Sequence, residues 1–248
     1  MLKFSDANTK LKKLYDVPSV QRHLKGRKIY SFDMLSGVSC PGARECKSQV
    51  VIKDSKRSVL DGPFTKFRCF SASQEALYTG VYNLRESNSS LIKSLVKTPK
   101  LLVSSLVLAT PKDAGTVRIH VAGDFLNYTY FKAWCEVAQH YPDIIFYAYS
   151  KSLPFWIKGR DAGIIPDNLR LTASRGGLYD RLIDSEGLRE ARVVFSKKEA
   201  KKLNLELDTN DYHAWRKLDK SFSLLVHSPQ PQGSEAGKAL QLIKKNKK

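Results

Sequence analysis

Six short stretches rich in β-branched and aromatic residues alternate with segments of helical spacing. That alternation restricts the fold more than any other feature of the chain. The strands are read at "RKIYSFDML", "TVRIHVAG", "IIFYAYS", "LRLTAS", "ARVVFS" and "FSLLVHS". Between the first two, Ala72 to Val96 places Ala76, Leu77, Val81, Leu84, Leu91, Ile92 and Leu95 at helical spacing. "TYFKAWCEVAQHY" is an amphipathic helix closed by Pro142. "KKEAKKL" and "SEAGKALQLIKK" follow the fifth and sixth strands, with Ser196 and Ser234 as expected N-caps. Strands joined through helices pair in parallel. The predicted fold is therefore α/β: a mostly parallel six-stranded βα sheet, open or curled into a partial barrel, in a single domain. Residues 1–27 read as a basic helical N-terminal extension, 28–240 as the domain itself, and 241–248 as a basic tail.

Ligands of such sheets collect at the carboxyl ends of the strands. The strand exits hold Ser36 to Cys46, Gly123-Asp124-Phe125, Ser150-Lys151-Ser152, Ser174-Arg175-Gly176-Gly177, Ser196 and His227-Ser228. Small, polar and charged groups recur at all six, as in a site assembled from many loops. Gly123, Asp124, Lys151 and Ser174 are the candidate ligand-binding residues. Asp124 could instead cap the helix that follows, and Lys151 could be a solvated lysine. Ser174-Arg175-Gly176-Gly177 reads either as an anion cradle or as a plain turn. "DTNDYHAW" offers a carboxyl cluster before His213 but reads first as a surface loop.

Four cysteines in 248 residues, irregularly spaced, do not form the framework of a disulfide-stapled domain. Cys40 and Cys46 bracket a Pro-Gly turn, and Cys69 follows after 22 intervening residues. Thiolates are soft ligands for iron–sulfur clusters or zinc. The short paired spacings of structural zinc sites are missing, although Cys135, His120 and His227 are available as a fourth ligand. Three cysteines on a cubane cluster would leave one iron open to a small molecule. Cys135, inside the amphipathic helix, reads as a core thiol.

No stretch approaches the ~20 apolar residues of a membrane span, and the start of the chain lacks a secretory pattern, so a membrane partner is not expected. There is no Ser-His-Asp order, phosphate-binding loop or dinucleotide fingerprint to support nucleotide hydrolysis. The 42 Lys and Arg against 24 Asp and Glu give a net charge of +18. Such a field attracts polyanions, nucleic acid first among them.

Taken together, "SCPGAREC", "RCFSASQEALYTGVYNLRESN", "RIHVAGDF", "IIFYAYSKS" and "LRLTAS" resemble the phage gene product 88 domain. "VVFSKKEAKKLNLELDTNDYHAW" and "LLVHSPQPQGSEAGKA" are most similar to its versions in phages of marine cyanobacteria. The resemblance maps that family's cysteine pattern onto Cys40, Cys46 and Cys69, with Phe70 as the aromatic that follows. It implies that "KSQVVIKDSKRSVLDGPFTKFR" is an insertion, expected as a small hairpin turning at Asp61-Gly62-Pro63. Cys69, at the start of a helix, is expected to have a lowered thiol pKa. The architecture also resembles, more distantly, the TIM-barrel-like partial barrel of the radical S-adenosylmethionine enzymes. There a [4Fe-4S] cluster on three cysteines binds the cofactor, and Gly123-Asp124 would meet its amino group.

The resulting expectation is a phage-encoded iron–sulfur protein in the cytoplasm of the infected host. Cys40, Cys46 and Cys69 hold a [4Fe-4S] cluster beside a site for a small molecule such as S-adenosylmethionine. Whether it is a radical enzyme is left open. The alternative is a basic nucleic-acid-binding phage protein without catalysis, its cysteines holding a structural zinc or no metal. A third reading is a virion or host-takeover accessory.

Overall fold

The computed structural model describes residues 1–216 and 220–245. Residues 246–248 of the expected basic tail lie outside the described residues. The strands are β1 (Ser5–Asp6), β2 (Lys28–Phe32), β3 (Ser48–Lys53), β4 (Lys56–Asp61), β5 (Ala114–Ile119), β6 (Ile145–Ser150), β7 (Leu169–Ser174), β8 (Glu190–Val194), β9 (Glu206–Leu207) and β10 (Phe222–Leu225). The helices are α1 (Thr9–Lys12), α2 (Pro18–Leu24), α3 (Phe70–Leu77), α4 (Thr79–Leu95), α5 (Pro99–Ala109), α6 (Tyr128–His140), α7 (Leu153–Asp161), α8 (Arg181–Ser185), α9 (Lys197–Lys202), α10 (Tyr212–Trp215) and α11 (Glu235–Lys245). Both expected caps form: Ser196 Oγ accepts from Glu199 N at 3.1 Å, and Ser234 Oγ from Gly237 N at 3.0 Å.

All six expected strands form and lie side by side in chain order, within an eight-stranded sheet ordered β1-β2-β5-β6-β7-β8-β10-β9. Every pairing is parallel except β1 with β2. The six-strand expectation is thus corrected to eight. The two additions are edge strands of two polar-leaning residues each, too short to show any alternation. Among the described residues the edge strands β1 and β9 do not pair with each other, so the sheet is open, one of the two forms expected. What stands is a mixed α/β single domain on a mostly parallel sheet.

Period-two alternation divides the strands between two cores. On β6, Phe146 and Ala148 face the core that holds α5 and α6, while Ile145 and Tyr147 face the opposite one. Right-handed crossovers between strands in sequential order put their helices on one face. The other face needs a separate cover, and the N-terminal residues supply it. Ala7, Leu11, Leu14, Val20 and Leu24 are buried there with Ile29, Ala191, Phe222 and Trp215.

The insertion between Cys46 and Cys69 is the antiparallel hairpin β3–β4, outside the main sheet. Its turn lies at Asp54-Ser55, not at the expected Asp61-Gly62-Pro63. Lys53 pairs with Lys56, and the two residues between them take φ of 49° and 59°, as a two-residue hairpin turn requires. Asp61 ends β4, and Gly62-Pro63 begins the return of the chain.

Candidate functional site

The cysteine loop leaves β2 already fastened to its neighbour. Asp33 Oδ1 accepts from Val121 N at 2.7 Å and Ala122 N at 3.2 Å, joining the exits of β2 and β5. Ser36 then donates to the Glu75 carboxylate through both N (3.0 Å) and Oγ (2.8 Å). Glu75, fully buried on α3, is paired with Arg85 of α4 at 3.1 Å. Lys47 reaches back to close the loop, its Nζ donating to the carbonyls of Gly37 (2.9 Å) and Cys40 (3.0 Å). The Pro-Gly pair has a steric reason. A Cβ on Gly42 would overlap the Lys151 carbonyl oxygen, so only glycine lets the loop touch the exit of β6. The loop continues across to β7, where Leu178 N donates to Gly42 O at 2.9 Å and Glu45 N to Gly176 O at 2.9 Å.

The hairpin brings Cys69 back to this rim. Gly62 N donates to Lys47 O at 2.6 Å, Lys66 N to Glu45 O at 2.8 Å, and Cys69 N to Ser48 Oγ at 3.2 Å. Arg68 clamps Asp61 with a shortest contact of 2.6 Å at the hairpin base. Cys40, Cys46 and Cys69 consequently line one cavity of about 170 Å³ at the carboxyl edge of the sheet. Gly123, Asp124, Lys151 and Ser174 line the same cavity, so all seven candidate residues meet. Cys135 lies elsewhere, in the core on α6, its thiol pushed up to about 12 by burial.

The thiols are weak acids as they stand. Burial drives the Cys40 thiol well above its ordinary range, with Asp124, Cys69 and Cys46 adding to the effect. Cys69 is pushed up to about 11 by burial and by Cys46. The backbone N–H groups of Ser71 and Ala72 at the start of α3 pull the other way. The expected lowering by the helix is present but is outweighed by desolvation.

Asp124 does not cap a helix; Asn127 caps α6, accepting from Tyr130 N at 2.9 Å. Asp124 instead accepts from Phe125 N (2.7 Å), Ser150 Oγ (2.7 Å) and Lys151 N (2.8 Å), tying the exits of β5 and β6 together. Burial still raises its pKa, because the bonds come mainly from neutral donors. Lys151 is buried, not solvated: its Nζ donates to Ser174 O (2.9 Å), Ser174 Oγ (2.6 Å) and Arg175 O (3.1 Å). Gly123 sits at φ 92°, and a Cβ there would come within 2.7 Å of Ser39 Oγ. The anion-cradle reading of the β7 exit loses its donors. Gly176 N and Gly177 N already serve Asp180 at 2.9 and 2.8 Å.

The inner wall of the cavity holds His120 and His227, which sequence reasoning named as available fourth ligands, together with Arg118 and Tyr149, which it passed over. His120, at φ 67°, shares a 2.9 Å hydrogen bond with Tyr130 through Nε2 and leaves Nδ1 buried without a partner. Burial lowers its pKa to about 3, with Arg118 adding to the effect, so it is neutral at physiological pH. A buried histidine at positive φ is a signal visible only in three dimensions. Behind this wall, Asp208 and Asp211 of "DTNDYHAW" are buried rather than on a surface loop. Asp211 holds Arg118 and, at 2.5 Å, Lys10. Among the described residues, no three His, Cys, Asp or Glu side chains are grouped so as to hold a metal ion.

The chain matches the family model described as gene product 88 over residues 2–245, which takes in the N-terminal helices and every strand. No curated protein and no solved structure matches it.

Proposed function

This chain belongs to the gene product 88 family, and we propose that it is a phage-encoded, cyanophage-type iron–sulfur protein acting in the infected cell. Cys40, Cys46 and Cys69 hold a [4Fe-4S] cluster, and Gly123, Asp124, Lys151 and Ser174 border a small-molecule site beside it. The observation that carries this reading is the meeting of three sequence-distant thiols in one cavity at the carboxyl edge of a parallel sheet. Mononuclear zinc needs all its ligands about 2.3 Å from one ion, and no such group stands among the described residues. A cluster spreads its sulfurs over several irons, and three cysteine thiolates lining one cavity are the ligand set it takes.

The six central strands run parallel in chain order, with the cysteine loop after the first. This supports a partial barrel of the radical S-adenosylmethionine kind, and S-adenosylmethionine as the guest. When bound, the cluster would supply one-electron chemistry at an iron with an open position. The chain's own residues prepare the place. Lys47 fixes the carbonyls of Gly37 and Cys40 at the start of the cysteine loop. Asp124 accepts two hydrogen bonds at Oδ1 and one at Oδ2, and Oδ2 would be the atom to meet an ammonium group. Cys40 and Cys69, both raised by burial, give up their protons to the incoming metal, so loading releases protons and improves with rising pH.

Anaerobic reconstitution with iron and sulfide tests the proposal. Expected is brown protein with about four irons per chain, more complete at about pH 8.5 than at about pH 6.5. Its paramagnetic spectrum should change on adding S-adenosylmethionine, and Cys40→Ala, Cys46→Ala or Cys69→Ala should each lose the colour. Colourless, iron-free protein, or one zinc taken up in place of iron, would overturn it.

A further inference from the structure

The hairpin that separates Cys46 from Cys69 does more than return the chain. It packs on α3 and leaves Ile52, Leu60 and Phe64 at 58%, 52% and 62% exposure, with Tyr78 nearby at 59%. Cross-strand register puts Ile52 with Arg57 on one face of the ribbon and Leu60 with Lys53 and Lys56 on the other, so the exposed apolar residues call for an occupant that can follow both faces. The charges around them indicate which. Residues 44–68 contain seven Lys and Arg against three Asp and Glu. Lys66 and Arg68 are paired with Glu45 and Asp61. Arg44, Lys53, Lys56 and Arg57 have no carboxylate partner among the described residues. Two of the four lie over aromatic rings: Arg44 is 5.0 Å from the ring centre of Phe64, and Arg57 is 5.4 Å from that of Tyr82.

We infer that this ribbon binds single-stranded nucleic acid, its four unpaired cations on the phosphates and Phe64 and Tyr78 against unstacked bases. Lysine is depleted at the cores of protein–protein interfaces, whereas exposed aromatics interleaved with cations are the equipment of single-strand binding. A duplex would offer its phosphates but hide its base faces, so the aromatic contacts select the single strand. The ribbon begins at Cys46 and returns at Cys69, so a strand lying on it passes the mouth of the cavity.

Fluorescence anisotropy of a labelled oligothymidylate, titrated with the full chain at low and moderate salt, reads this directly and does not depend on iron content. The quadruple variant R44Q/K53Q/K56Q/R57Q should flatten the log–log salt slope by roughly 2 to 3. Phe64→Ala should weaken binding about tenfold with the slope unchanged. Unlabelled duplex of equal length should compete less well than single strand. As a control for net charge, Lys25→Gln with Lys112→Gln, exposed just before β2 and β5 at the opposite, amino edge of the sheet, should leave the affinity within about twofold. All the altered side chains except Arg57 are solvent-facing, so melting curves of the variants should overlay the parent. The inference is overturned by an absence of salt-sensitive binding, by equal losses in the amino-edge control and the ribbon variant, or by duplex binding as tight as single strand with Phe64→Ala silent.

Discussion

Two buried carboxylates show how differently the two depths of this molecule are built. Asp211, behind the cavity, is surrounded by charge: Arg118, Lys10 at 2.5 Å, and the hydroxyls of Tyr147 and Tyr149 at 3.3 and 3.2 Å. Although burial opposes ionisation, Arg118 and then Lys10 outweigh it, and the pKa falls to about 2. Asp124, on the rim, is almost as buried but is held by a hydroxyl and two backbone N–H groups, and its pKa rises. The interior carboxylate is locked as an ion that fastens the N-terminal cover to the sheet. The rim carboxylate is a weaker acid, held by the loops that it positions. An element meant to accept a guest is better served by the second arrangement, because removing neutral donors costs less than separating buried charges.

The largest effect should come from Asp211→Asn. It strands Arg118 in the interior without its counter-ion, which typically costs ~3–5 kcal/mol, read by urea denaturation at neutral pH. The pH dependence follows from the lowered pKa. Asp211 contributes stability that is fully present above its unfolded value near 4 and is lost as pH falls through about 2. The gap between parent and variant should therefore close in that acid window. A gap that persisted unchanged to the lowest pH would show that Asp211 acts through shape and not charge.

The difference between these two regions also marks what the sequence made legible. Strand exits were readable because a parallel sheet has only one edge where ligands gather, and the six exits were marked by Ser, Gly, Asp and Lys. The role of Lys151 was not readable, because its partners Ser174 and Arg175 are more than 20 residues away and nothing local announces them. Nor was the burial of Asp211, whose two cations come from α1 and β5, 201 and 93 residues distant in sequence. Glu75 looked like an ordinary polar helix residue until Ser36 and Arg85 closed around it. Each miss is a side chain whose role is set by contacts that only the fold creates.

Asp124→Asn should cost less, about 1–3 kcal/mol. Its amide must turn an N–H toward one of three donors, leaving that donor without an acceptor. The pH behaviour should run opposite to that of Asp211. Since folding raises the Asp124 pKa, its contribution is fully present below its unfolded value near 4 and diminishes as pH climbs through the folded value. Stability of the variant relative to the parent, measured by urea denaturation from about pH 4 to about pH 8, separates the two carboxylates. Identical profiles for D124N and D211N would erase the contrast drawn between rim and interior.

The smallest effect is expected at Ser150, whose hydroxyl donates to Asp124 at 2.7 Å and accepts from Ser152 N at 2.9 Å. Ser150→Ala removes one of three donors to the carboxylate and leaves one N–H unserved, a loss of about 1 kcal/mol. Because that donor favours the ionised form, Asp124 should become an even weaker acid, visible as an upward move of its carboxyl carbon titration by NMR. The loss of stability should then grow as pH rises and the carboxyl ionises. A titration that stayed in place would mean that burial alone sets the acidity of Asp124. The rim would then tolerate rearrangement of its loops around a guest with no electrostatic consequence for this carboxylate.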